Sequence, residues 1–128
     1  MQKMSYGHEV QEALREPARA LQRAIPHVYQ GYLQLHSAVF DDGALDARTK
    51  QLMALAIAVS KQCDGCIADH ARGAAQRGAT EEEVAEALGV AIAMNGGPGT
   101  VHGPRAFAAY SEFAGDAAAA KDASADCP

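Results

Sequence analysis

The chain has 128 residues, of which 48% are hydrophobic, 5% aromatic and 21% charged, a size that fits one domain with its own core. Its 11 Lys and Arg against 16 Asp and Glu give a formal net charge of −5, and the basic residues are scattered, so nucleic acid is not an expected partner. The longest apolar run, near Leu52 to Val59, is too short to cross a bilayer, and MQKMSYGHEVQEALREP carries charges where a signal peptide is apolar. No membrane partner and a cytoplasmic location are therefore expected.

Helical signals dominate in chain order, with no period-2 run of β-branched and aromatic residues. A first helix is expected from about Ser5 to Arg23, interrupted or restarted at Pro17, since proline is best tolerated in a first turn. Pro26 opens a second, in which Val28, Tyr29, Tyr32, Leu33, Leu35, His36, Val39 and Phe40 recur at helical spacing until Asp41-Asp42-Gly43 ends it. Asp46 is a good N-cap for a third helix through RTKQLMALAIAVS, whose apolar residues lie on several faces and need cover from most sides. Ser60 to Asp64 breaks the chain. The helix carrying Cys66 and His70 follows and closes at Gly78. Thr80 with Glu81, Glu82 and Glu83 reads as a capping box and an acidic first turn, ahead of the stripe Val84, Leu88, Ala91 and Ile92. Asn95-Gly96-Gly97-Pro98-Gly99 is a helix-to-helix turn, because no strand precedes it and no Lys follows in a phosphate-loop position. Pro104 to about Phe113 reads as the last helix. From Gly115, the low-complexity GDAAAAKDASADCP is expected to fray or be disordered. The organisation expected is thus an N-terminal helical extension over residues 1–25, a helical domain over 26–114 and a disordered tail over 115–128.

Chemistry concentrates in KQCDGCIADHARG. At about 100° per residue, the offsets from Cys63 to Cys66 and His70 fall on roughly one side of a helix, so both sulfurs and the imidazole share a face. A thiol at a first helical turn has its thiolate stabilised by unpaired N–H groups and the dipole, and a nearby imidazole can take its proton. Two thiols this close can form a disulfide after one is oxidised. Three cysteines is an odd number, and a helical core of this size needs no disulfide framework. The bland alternative is two small buried residues with a satisfied histidine. Zinc is a second rival, but it needs a fourth donor from Cys127, His36 or His102, and no second CxxC or H-x-x-x-H completes the set; no metal or other cofactor is expected. A thioredoxin-type domain is disfavoured for want of strands. His36, beside Tyr29, Tyr32 and Leu33, reads as a packed core residue before a site residue.

The stretch from about Leu45 to Thr100 combines the apolar helix, CxxCxxxH, the R-G-A-T-x-E-E entry into a helix and the Gly-rich break, in order. It resembles the carboxymuconolactone decarboxylase superfamily, specifically its AhpD-like alkylhydroperoxidase branch. That resemblance implies an all-α, single-domain fold of about five to six helices, assembled as a homo-oligomer, commonly trimers or hexamers built from trimers. It implies thiol-dependent reduction of a small hydroperoxide, with Cys66 peroxidatic, Cys63 resolving, His70 relaying protons and an external thiol as reductant. The branch named for lactone decarboxylation lacks this CxxC. The family places a glutamate twelve residues before the first motif Cys, where this chain has Gln51. An amide can orient His70 but cannot accept a proton at neutral pH, so the expectation is a weaker peroxidase, a substitute carboxylate among Glu86, Asp64 and Asp69, or a redox-responsive binding or stress module needing only the dithiol.

Overall fold

Six α-helices follow one another in the computed structural model, which describes residues 5–125: α1 His8–Ala24, α2 Pro26–Phe40, α3 Ala47–Ser60, α4 Asp64–Gln76, α5 Glu81–Asn95 and α6 Gly97–Ala125. No strand occurs among the described residues. The starts are set locally. Asp46 accepts from the Thr49 N–H at 2.7 Å to open α3, and Thr80 and Glu83 exchange bonds of 3.1 and 2.9 Å in the capping box that opens α5.

The ends of α3 and α4 share one design with different residues. After α4, the Gly78 and Ala79 N–H groups return to Ala75 and Ala74, with Gly78 at φ 79°. After α3, Gln62 and Cys63 return to Val59 and Ala58 in the same pattern, with Gln62 at φ 55°. Both are left-handed helix stops, but only one uses the residue that carries no steric penalty there. The stop after α3 is what delivers Cys63 to the N-cap of α4.

The core lies among α3, α4, α5 and α6. Leu55, Val59, Ile67 and Val84 are its largest fully buried side chains, each contributing about 1.5–3 kcal/mol by leaving water. Ala68, Ala71 and Ala74, all 0% exposed, give α4 a small-residue face on which neighbouring helices seat closely. The Tyr110 hydroxyl on α6 donates to the Ala79 carbonyl between α4 and α5. By contrast α1 and α2 bury no residue fully.

Glu112 on α6 holds the chain ahead of α1. It accepts from the Ser5 hydroxyl at 2.6 Å, the Gly7 N–H at 3.0 Å and the His8 N–H at 3.2 Å. From that anchor α1 crosses the start of α4: Leu14 leaves no slack over Gly65, and the Gln11 amide donates to Asp69 at 3.0 Å.

Two boundaries differ from the sequence reading. α1 runs unbroken through Pro17, because the only bond proline removes is to the Ala13 carbonyl, on an exposed helix where water can replace it. α6 starts at Gly97 and runs to Ala125, beyond both Pro104 and Phe113. Pro98 stands in its first turn, where the missing N–H has no helical partner anyway, and the alanine-rich stretch after Gly115 has the highest helix propensity available. No helix among the described residues is long and apolar enough to cross a membrane.

Candidate active site

Cys63 and Cys66 meet at the first turn of α4 as a disulfide, with their Cα atoms 5.2 Å apart. Cys63 is the N-cap and its sulfur accepts from the Cys66 N–H at 3.2 Å. Cys66 is exposed whereas Cys63 is half-buried, so the two sulfurs differ in their access to a molecule arriving from solvent.

One turn further, the His70 Nδ1 lies 2.9 Å from the Gln51 Oε1. Gln51 is the one buried polar residue among those described, 6% exposed on the inner face of α3. Its amide fits because Gly73 has no side chain: a Cβ there would overlap the Gln51 Cδ, Oε1 and Nε2. A carbonyl oxygen only accepts, so Nδ1 carries the proton of a neutral imidazole and Nε2 keeps its lone pair. Burial pushes the His70 pKa below its ordinary 6.5, the nearby Asp69 charge opposes this, and His36 reinforces it. His70 is thus a neutral base near pH 7.

Cys66, His70 and Gln51 line one cleft of about 430 Å³ between α4 and α2, and Asp69 and His36 line it with them. Of the three carboxylates considered as substitutes for a glutamate, only Asp69 is there. Asp64 lies 3.4 Å from Arg105, and Glu86 is exposed on α5. His36 is a wall of the cleft: its ring stacks on Phe40 at 4.4 Å between centroids and lies 6.1 Å from that of His70, with Phe40 5.3 Å from His70. His102 does not line the cleft; its ring nitrogen lies 3.2 Å from the Pro98 carbonyl of its own helix. Cys127 lies outside the described residues, and among those described no three of His, Cys, Asp and Glu converge as metal ligands.

Sequence reasoning passed over Gln11, Gly73, Arg72 and Arg77, which also line the cleft. Gly73 had a signal, three residues after His70 and seven after Cys66, on the reactive face of the helix. Gln11 had none, since it arrives from the far end of the chain.

The sequence pattern of the carboxymuconolactone decarboxylase family matches residues 26–109, the span from the start of α2 into α6. The chain belongs to this family. A Paracoccus denitrificans relative, an uncharacterised protein of the cox locus, is 44% identical over 93 residues, 73% of this chain and 84% of its own length. An uncharacterised protein of Cupriavidus necator is 38% identical over 91 residues, covering 71% of this chain and 80% of its own. Among solved structures, a carboxymuconolactone decarboxylase family protein from Legionella pneumophila, in its apo form, superposes with a TM-score of 0.80 at 36% identity, covering 84% of this chain and 96% of that one. A family member from Thermotoga maritima, described as having a possible part in an antioxidative response, superposes at 0.69 with 34% identity, over 82% and 89% of the two chains.

Proposed function

We propose that the protein is an AhpD-like thiol-dependent peroxidase that reduces hydroperoxides through Cys66 and Cys63. The observation carrying this reading is the sharing of one cleft by an exposed, disulfide-forming cysteine and a histidine with a free Nε2 lone pair.

In the reduced protein, the His70 Nε2 takes the Cys66 proton, and the thiolate attacks the terminal oxygen of the hydroperoxide. The O–O bond breaks, an alcohol leaves with the proton returned by His70, and Cys66 becomes a sulfenic acid. Cys63 then attacks the Cys66 sulfur, water leaves and the disulfide closes. Two electrons have passed from the dithiol to the peroxide. An external thiol restores the pair by exchange, in a reducing compartment such as the cytoplasm. Gln51 holds the imidazole tautomer this cycle needs but takes no proton itself, so the rate should fall short of a glutamate-assisted enzyme by about 10²-fold.

A homo-oligomer, a trimer or a hexamer built from trimers, belongs to the same proposal. Val28, Leu35 and Val39 are apolar and exposed on α2, and a second copy would cover them.

A thiol-coupled peroxide assay tests the catalytic reading. Cys66→Ser is expected to abolish consumption; if it and Cys63→Ser both matched the parent, the reading would fail. Gln51, which cannot take up the proton, favours a second reading, a redox-responsive binding or stress module. A reversible disulfide without peroxide turnover would select it.

A further inference from the structure

The cleft is longer than a small hydroperoxide requires, and its far end carries charge. Arg77 follows Cys66 by eleven residues, which on a helix is three turns and a little over, so it stands in line with Cys66 about 16 Å along the axis. Gly73 lies on the same line and adds no side chain to the floor. Tyr32 and Leu33 of α2 form an apolar wall opposite, both more than half exposed to whatever occupies the cleft.

Arg72 flanks this trough and Arg77 ends it. Among the described residues neither forms an ion pair, nor does Arg23 on α1, whereas Arg15, Arg19, Arg48 and Arg105 all do. The carboxylates that could have claimed them are engaged elsewhere: Asp69 accepts from Gln11, and Asp42 and Asp46, which border Arg77 from the other side, cap the start of α3. Two guanidiniums without an ion pair thus line the cleft beside a single carboxylate, Asp69, within a chain of net charge −5, while Asp42 and Asp46 approach Arg77 from outside it.

We infer that the substrate is an elongated amphiphile bearing a carboxylate, a straight-chain fatty-acid hydroperoxide whose acid group Arg77 and Arg72 bind while the peroxide reaches Cys66. This specificity rests on the peroxidase reading. A guanidinium fork matches a carboxylate in geometry and charge, the apolar wall matches the alkyl chain, and the chemical step is unchanged.

The test compares linoleic acid hydroperoxide with its methyl ester, both below the concentration at which they form micelles. In the parent, kcat/KM should favour the acid by about tenfold, and in the Arg72→Gln, Arg77→Gln double variant the acid-to-ester ratio should fall to about one. A parent ratio near one, or a ratio the double variant does not change, overturns the inference. Turnover of tert-butyl hydroperoxide by the parent separates that failure from failure of the peroxidase reading. A second measurement needs no turnover: laurate, but not dodecanol, should slow alkylation of reduced Cys66 by iodoacetamide in the parent and not in the double variant. Equal protection by both, or by neither, also overturns it.

Discussion

The His70 Nδ1 and the Gln51 Oε1 stand 2.9 Å apart on facing helices, and that bond makes His70 a base through its other nitrogen. Replacing Gln51 by Glu keeps the acceptor and adds a charge. The imidazolium would gain a charged partner, raising the His70 pKa. Proton NMR titration of the ring should show this, with a faster peroxide reaction; an unchanged rate would mean that Asp69 already serves as the charged partner.

The same bond sets a pH dependence in the parent. Burial holds the His70 pKa below 6.5, so the free base is present above that value and is lost as pH falls through the depressed one. The neutral form is also the one the fold prefers, so this contribution to stability disappears in the same direction. The rate of Cys66 oxidation should decline on acidification below about pH 6.5, and His70→Ala should remove that limb of the profile.

Gly73→Ala places a methyl group in the space of the Gln51 amide. Overpacking of this kind costs about 1–3 kcal/mol, measurable by urea titration, and the displaced amide would release His70. Adding Gln51→Ala should recover most of the stability but not the rate. Recovery of both would show that the Gln51–His70 bond is dispensable.

His8 bridges Glu112 at 3.0 Å and Asp116 at 2.6 Å, tying the start of α1 to α6. Its pKa is raised, chiefly by the hydrogen bond to Asp116. For Glu112, burial pushes the pKa up, but the bonds from Ser5, His8 and Gly7 and the His8 charge outweigh it and leave the group below 4.5. The His8 contribution is complete below its unfolded value of 6.5 and is lost as pH rises through the raised one. That of Glu112 is present above 4.5 and is lost as pH falls through the depressed one. The clamp is therefore tightest between 4.5 and 6.5. Amides of α1, corrected for intrinsic exchange, should be better protected at about pH 5.5 than at about pH 8.5, and His8→Ala should erase the difference.

Gln62 adopts φ 55° where Gly78 serves the same role one helix later. Gln62→Gly should stabilise the protein by about 0.5–1 kcal/mol, seen as a higher thermal midpoint. A lower midpoint would mean that the Gln62 side chain contributes more than its backbone costs.

These particulars divide what the sequence discloses from what it hides. Asp46, the Thr80–Glu83 box and Gly78 act within a few residues of themselves, so their helix boundaries are legible without tertiary information. The face shared by Cys63, Cys66 and His70 follows from helical geometry alone. Pro17 and Pro104 are misleading because solvent and neighbouring turns absorb a lost bond that a rule on proline counts in full. His36 reads as core since its neighbours are apolar, yet the Tyr32, His36, Phe40 spacing already places three flat rings on one stripe, of which Tyr32 and His36 line the cleft while Phe40 stacks behind His36. Gln11 reaches Asp69 across 58 residues of chain, a contact only the packed fold reveals.

The peroxidatic role of Cys66 is tested most directly by treating reduced Cys63→Ser protein with one equivalent of hydroperoxide in the presence of dimedone and locating the adduct by mass spectrometry. A stable sulfenic acid on Cys66 is expected, captured stoichiometrically and formed more slowly when His70 is also replaced by Ala. Failure of Cys66 to be oxidised, or capture at the same rate without His70, would contradict it.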